Sequence, residues 1–62
     1  MTHNLKIVRT ERGLPIAAVA VKARVGTGTI VMIERYGHVP RPDTKERIAA
    51  ALGVDVAAIW PV

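Results

Sequence analysis

Glycine and proline residues divide this 62-residue chain into five short segments. The interruptions are Gly13-Leu14-Pro15, Gly26, the stretch from Gly37 to Pro42, Gly53, and Pro61. Both residue types disfavour the interior of a helix, Gly through backbone entropy and Pro through its missing N–H. Each remaining segment has the length of a short helix, so the chain has to build its core from several small elements.

Apolar residues recur within these segments at spacings of three and four, which predicts helices. We expect them at Asn4 to Arg12, Pro15 to Ala23, Thr27 to about Arg35, Asp43 to Leu52, and Asp55 to Trp60. The β-branched stretch "TIVMI" also allows a strand, but the pairing of Ile30 with Ile33 favours a helix. Asn4 and Asp55 are predicted N-caps, and Gly13 is a predicted C-terminal stop.

The predicted core is aliphatic, because Tyr36 and Trp60 are the only aromatic residues. A chain of this length is marginally stable, and without cysteine it has no disulfide to help. In the first segment Leu5, Val8 and Arg12 lie on one stripe, and in the last Ile59 and Trp60 are the anchors. The other predicted inward-facing positions are Ile16, Val19, Ala20 and Ala23, Val25, Ile30 and Ile33, and Ile48, Ala49 and Leu52. The sequence therefore predicts an all-α fold, a compact bundle of five short helices in one domain spanning residues 1–62.

The net charge of +4 is concentrated in the first part of the chain. Residues 1–25 carry five Lys or Arg and one acidic residue, whereas residues 42–62 carry two basic and three acidic residues. A basic N-terminal part of the chain suits a polyanionic partner, although many small domains carry a few excess positive charges. No apolar run approaches the roughly 20 residues of a membrane span. We expect a cytoplasmic, nucleoid-associated location.

No pattern of residues typical of an enzyme is present. There is no nucleophile–base pair and no glycine-rich phosphate loop following a strand. His3 and His38 are far apart in sequence and have no nearby thiols. We therefore expect no catalytic residues, no cofactor and no bound metal.

Three motifs carry a resemblance that covers the chain from about Leu5 to Trp60. They are "VAVKA", a Val25-x4-Ile30-x2-Ile33-Glu34 spacing, and "RIAAALGV". In these the chain resembles the lambda-repressor-like, XRE-type (Cro/repressor) helix-turn-helix family. The resemblance implies that the second and third helices form a central helix-turn-helix, with the third entering the DNA major groove by its N-terminal end. It also implies that Glu34 pairs with Arg9.

Several positions depart from the family's pattern. Members usually begin the second helix with Ser or Thr followed by Gln, where this chain has Pro15-Ile16. The third helix is usually capped by Ser or Thr, and here Gly26 takes that place. Tyr36 stands where a Gly is usual, and Lys45 where a buried Leu is common. The groove-facing positions lack the Arg, Asn or Gln that read bases by paired hydrogen bonds.

The resemblance places the DNA-binding site on the third helix and the cations around it. The predicted base-facing residues are Thr27, Gly28, Thr29, Val31 and Met32. The predicted phosphate contacts are Lys22, Arg24, Arg35, His38 and Arg41. Other roles stay open: Thr27 as a helix cap, Val31 and Met32 in a protein interface, and His38 as a plain loop residue. Tyr36 either stacks on the sugar-phosphate backbone or packs against the second helix.

The sequence favours a small DNA-binding transcriptional regulator of the repressor type that acts on double-stranded DNA as a homodimer. The apolar C-terminal stretch "VAAIWPV" is a candidate dimer surface through Val56, Trp60 and Val62, unless Trp60 is internal. The alternative is an adaptor of the same fold that binds a larger protein partner through its apolar third helix.

Overall fold

The computed structural model of the protein describes residues 3–61 and contains five α-helices within that range. They are α1 (Leu5–Glu11), α2 (Ile16–Ala23), α3 (Thr27–Tyr36), α4 (Pro42–Leu52) and α5 (Val56–Ile59). No strand occurs in residues 3–61, so the all-α prediction is confirmed and "TIVMI" is helical. Prolines stand at two helix starts, where a missing N–H costs no hydrogen bond: Pro15 is the N-cap of α2 and Pro42 begins α4.

The core is built around α2, which packs most extensively against α4 and then against α3. Every helix contributes at least one buried apolar side chain: Leu5 and Val8, Val19, Ala20 and Ala23, Ile30 and Ile33, Ile48, Ala49 and Leu52, and Ile59 with the following Trp60. Two predicted positions, Ile16 and Val25, are partly buried against this core. Arg12, which shares the helical spacing of Leu5 and Val8, is the exposed C-cap of α1, and Arg9 is the buried arginine of that helix.

Two predicted N-caps stand at the cap positions, but their side chains do not cap. Neither Asn4 nor Asp55 makes a side-chain hydrogen bond to its helix. The N–H of Leu5 instead donates to Nδ1 of buried His3 (3.1 Å). Asn4 donates its main-chain N–H to the carbonyl of Ile59 (2.7 Å), which ties the start of the described chain to α5.

Helix α2 ends in a left-handed residue that is not glycine. Gly13 follows α1 with a φ of 68° and Gly53 caps α4 with a φ of 70°, whereas Arg24 caps α2 with a φ of 60°. The next N–H, that of Val25, donates to the carbonyl of Ala20 (3.0 Å). This Schellman arrangement stops the helix and turns the chain toward α3.

The junction between α2 and α3 has the geometry of a helix-turn-helix. Residues 24–26 separate the two helices, and the chain direction changes by 119° between them. Helix-turn-helix units join two helices at about 90–120° through a turn of three to four residues. No single helix within residues 3–61 is long and apolar enough to cross a membrane, and α2 with α3 passes that test only as this bent pair.

The C-terminal residues offer less apolar surface than the sequence suggested. Trp60 is 7% exposed, so it is internal, and Val56 is partly buried against the core. The Lys45 ammonium lies 5.6 Å from the centroid of the Trp60 ring, a cation–π distance. This contact explains how a lysine occupies a half-buried position on α4. Val62, the third residue of the predicted dimer surface, lies outside the described residues.

Candidate nucleic-acid interface

The structure separates the inner and outer sides of α3 clearly. Ile30 and Ile33 are fully buried, and the predicted base-facing residues lie on the rest of the helix. Thr27, Gly28 and Met32 are exposed, while Thr29 and Val31 are half-buried. The exposed backbone and side chains at the start of α3 are therefore open to a ligand.

The N-terminal end of α3 has no side-chain cap. Gly26 is the N-cap residue, with extended backbone geometry, and its carbonyl accepts the N–H of Thr29 (3.0 Å). Thr27 is the first residue of the helix, so the alternative that Thr27 serves as the cap is wrong. A helix N-terminus with uncapped N–H groups and a partial positive charge favours phosphate oxygens.

Gly28 gives this end of the helix an especially open surface. A Cβ placed on Gly28 would meet no atom within 4 Å, so the protein itself does not require glycine there. A glycine inside a helix normally costs up to about 1 kcal/mol relative to alanine. Its presence at the outer edge of α3 leaves room for another molecule to approach the backbone closely.

A buried ion pair fixes α3 against α1. Arg9 Nε lies 2.7 Å from Glu34 Oε2, and Arg9 Nη2 lies 3.1 Å from Glu34 Oε1. The same guanidinium donates through Nη1 to the carbonyl of Leu14 (2.9 Å), in the loop that leads to α2. The pairing implied by the family resemblance is therefore present, and it holds α1, the loop and α3 in one arrangement.

Three predicted phosphate contacts lie at and beyond the C-terminal end of α3. Arg35, His38 and Arg41 are all exposed, and buried Pro40 anchors the segment that carries the last two. Arg41 Nε lies 3.8 Å from Asp43 Oδ1, with both side chains mostly exposed. An exposed pair at this distance contributes little to stability, but Asp43 places a negative charge beside a proposed phosphate contact.

The other two predicted phosphate contacts lie elsewhere. Lys22 and Arg24, at the end of α2, line a cavity together with Arg47 of α4. No residue of α3 or of residues 37–41 lines this cavity. The structure thus divides the predicted cations into two groups, and it adds Arg47, which sequence reasoning missed.

The second half of α3 and the residues that follow it expose apolar side chains. Met32, Tyr36 and Val39, here called the α3 apolar patch, are 46%, 73% and 61% exposed. The high exposure of Tyr36 rules out its packing against α2, which leaves it available to a ligand.

No cluster of His, Asp or Glu suited to a metal ion occurs within residues 3–61.

Comparison with known proteins assigns the fold to one family. A family model described as helix-turn-helix matches residues 5–59, which include all five helices. No curated protein matches the sequence significantly.

Proposed function

Because the chain belongs to the lambda-repressor-like, XRE-type helix-turn-helix family, whose members bind DNA and are typically not enzymes, we propose that it is a small transcriptional regulator of the repressor type. It binds duplex DNA by inserting α3 into the major groove, which is about 12 Å wide and admits one helix. The observation that carries this proposal is the open, uncapped N-terminal end of α3, presented by the 119° turn from α2.

The exposed part of α3 supports limited base readout. Thr27 and Thr29 each offer one hydroxyl, and Val31 and Met32 offer apolar contact to thymine methyl groups. None of these side chains makes the bidentate contacts that give about 1–3 kcal/mol of discrimination per base. We therefore propose modest sequence preference for each subunit.

Affinity for the DNA backbone comes from residues in the last turn of α3 and in the segment that follows it. Arg35 in the last turn of α3, and His38 and Arg41 after it, are exposed, which supports contacts with phosphates on the rim of the groove. Such contacts fix the position of a protein on DNA without reading its sequence.

A homodimer compensates for weak readout by each subunit. Two copies place two α3 helices on half-sites about one helical turn, roughly 34 Å, apart. The spacing and the shape of the intervening DNA then add specificity that neither helix supplies alone. We propose that the protein acts as such a dimer on DNA in the cytoplasm, and sedimentation at micromolar concentration with and without duplex tests this.

Gly28→Ala tests the proposed groove contact. In the free protein the added methyl meets nothing within 4 Å, so the fold should be unchanged or slightly more stable, by up to about 1 kcal/mol. At the DNA surface the same methyl occupies space that the groove needs. We expect lower affinity for duplex DNA, measured by fluorescence anisotropy, together with an unchanged or higher melting temperature.

Two further variants complete this experiment. Ile7→Leu changes an exposed side chain on α1, outside α3 and outside the C-terminal candidate dimer surface, and should leave DNA affinity unchanged. The double variant Thr27→Ala, Met32→Ala should reduce the difference in affinity between preferred and unrelated duplexes. Groove insertion of α3 is contradicted if Gly28→Ala and the double variant both bind every duplex as the parent does.

The α3 apolar patch supports a second candidate, an adaptor that binds a larger protein through α3. Exposed Met32, Tyr36 and Val39 are unusual for a helix end that only contacts sugar and phosphate. Under the adaptor function, Tyr36→Ser with Val39→Ser abolishes partner binding, and Gly28→Ala leaves DNA affinity as it was. Under the regulator function, Gly28→Ala has the larger effect.

A further inference from the structure

A cavity of about 490 Å³ opens between the end of α2 and the second half of α4. It is lined by Lys22, Ala23, Arg24, Arg47, Ala50 and Ala51. Its volume falls within the roughly 300–1,000 Å³ of small-molecule sites. The cavity is therefore large enough for a small ligand and lies apart from the α3 residues proposed to contact DNA.

The charged residues of this cavity all have the same sign. Lys22, Arg24 and Arg47 line it, and no carboxylate does. Within residues 3–61, the ion pairs are those of Arg9 with Glu34 and of Arg41 with Asp43, so none of the three cavity cations has an acidic partner there. A concave surface lined by one sign of charge concentrates its counter-ions.

The remaining lining residues explain why there is space between the cations. Ala23 is 1% exposed, and Ala50 and Ala51 lie across from it on α4. Alanine side chains fill little volume, so the two helices leave a depression instead of closing over it. Arg47 donates only a long hydrogen bond to Thr44 Oγ1 (3.5 Å), which leaves most of its guanidinium donors for a ligand.

We propose that this cavity binds a small molecule carrying two linked phosphate groups. Arginine guanidinium groups bind phosphate oxygens in bidentate pairs, and lysine adds a compact charge. One phosphate monoester carries about −1.5 to −2 charge at neutral pH. A diphosphate therefore matches the three positive charges better than a single phosphate does. The site goes beyond the proposed DNA contacts and does not depend on them.

Pyrophosphate is a direct probe of the cavity. Titrated into the ¹⁵N-labelled chain at constant ionic strength, it should shift the amide signals of residues 22–25 and 47–51 most strongly. Arg47→Gln and Lys22→Gln should each weaken binding about tenfold, because each removes charge-assisted hydrogen bonds. Arg24→Asn should do the same, since asparagine tolerates the left-handed backbone of that position.

Lys6→Gln is the matched control, because Lys6 is an exposed cation on α1 away from the cavity. It should leave pyrophosphate affinity unchanged, and circular dichroism melting should show that all four variants are folded. Signal changes spread evenly over the basic residues, or equal effects of Arg47→Gln and Lys6→Gln, would overturn the site.

A second titration distinguishes a free diphosphate from the phosphates of DNA. Duplex DNA should shift the signals of α3 and residues 37–41 and leave those of residues 47–51 in place. Arg47→Gln should retain duplex affinity. If duplex DNA shifts the cavity signals and Arg47→Gln weakens duplex binding as much as Arg35→Ala does, the cavity holds DNA backbone and the small-molecule site is wrong. If the parent protein binds pyrophosphate at the cavity but does not bind duplex DNA, the result contradicts the proposed regulator and leaves the cavity site intact.

Discussion

Arg24 holds a left-handed backbone conformation that L-residues rarely adopt. It is the only residue other than glycine in that range with a positive φ (60°). For most L-residues the left-handed region costs roughly 1–2 kcal/mol, because Cβ crowds the following carbonyl. The Schellman hydrogen bonds at the end of α2 require this conformation, so the strain comes from the residue type and not from the turn.

Arg24→Gly should therefore stabilise the protein. We expect a gain of about 0.5–1 kcal/mol in the free energy of unfolding, since glycine relieves the strain but loses more entropy on folding. Arg12→Gly is the matched control, because Arg12 also caps a helix but has a φ of −86°. The free energy of unfolding of Arg12→Gly should be no higher than that of the parent. Equal urea midpoints for Arg24→Gly and the parent would contradict the strain argument.

The same turn shows what single residues in the sequence do not reveal. Gly26 marked the break between α2 and α3 correctly, but it has a φ of −73°, which any residue adopts. The left-handed position falls on Arg24 because α2 stops at Ala23, and the packing of α2 on its neighbours determines where it stops. Residue type alone therefore gave the location of the turn but not its conformation.

At the scale of elements, Arg35 in the last turn of α3 and Arg41 after that helix should not contribute equally to DNA binding. Arg35 has no acidic partner within residues 3–61, whereas Arg41 lies 3.8 Å from Asp43. Asp43 also lies in the first turn of α4, where it reduces the attraction of that helix end for phosphate. The negative charge next to Arg41 should weaken its contribution.

We expect Arg35→Ala to weaken binding to all duplexes alike and to reduce the slope of log affinity against log salt by about one unit. Arg41→Ala should have the same kind of effect but a smaller one, and Asp43→Asn should raise affinity. Fluorescence anisotropy at several salt concentrations measures all three variants. A change in preference between sequences, with overall affinity unchanged, would contradict phosphate contact by Arg35.

The positions of the helices were predictable from the sequence, but the cavity between α2 and α4 was not. Gly and Pro act locally and the spacing of Ile30 with Ile33 is local, so helix positions followed from short windows of sequence. Arg47 is distant in sequence from Lys22, and only the packing of α2 on α4 brings them to one cavity. Sequence patterns within one helix carry no information about such a pairing.

At the scale of the whole molecule the core is small, which makes the one buried ion pair found within residues 3–61 important. The chain has 62 residues, and the Cα radius of gyration of the fold is 10.0 Å. A domain of this size has a free energy of unfolding of the order of 5 kcal/mol. The Arg9–Glu34 pair is largely buried, with side-chain exposures of 11% and 6%, and joins α1 to α3.

Glu34→Gln should destabilise the whole domain by about 3–5 kcal/mol, because it leaves the Arg9 guanidinium buried without a counter-charge. The remaining stability of about 0–2 kcal/mol leaves roughly 3–50% of the population unfolded at 25 °C. Arg41→Ala, which removes the exposed pair with Asp43, should cost less than about 1 kcal/mol. Urea denaturation followed by circular dichroism compares the two.

The double variant Arg9→Met, Glu34→Met separates the energy of the pair from the cost of an unpaired charge. Replacing both members of a buried pair with apolar side chains is often neutral or stabilising, whereas removing one is not. We expect the double variant to recover most of the stability lost in Glu34→Gln. It should fall somewhat short of the parent, because the carbonyl of Leu14 loses the donor that Arg9 supplies. If Glu34→Gln costs no more than Arg41→Ala, the ion pair does not hold α1 and α3 together.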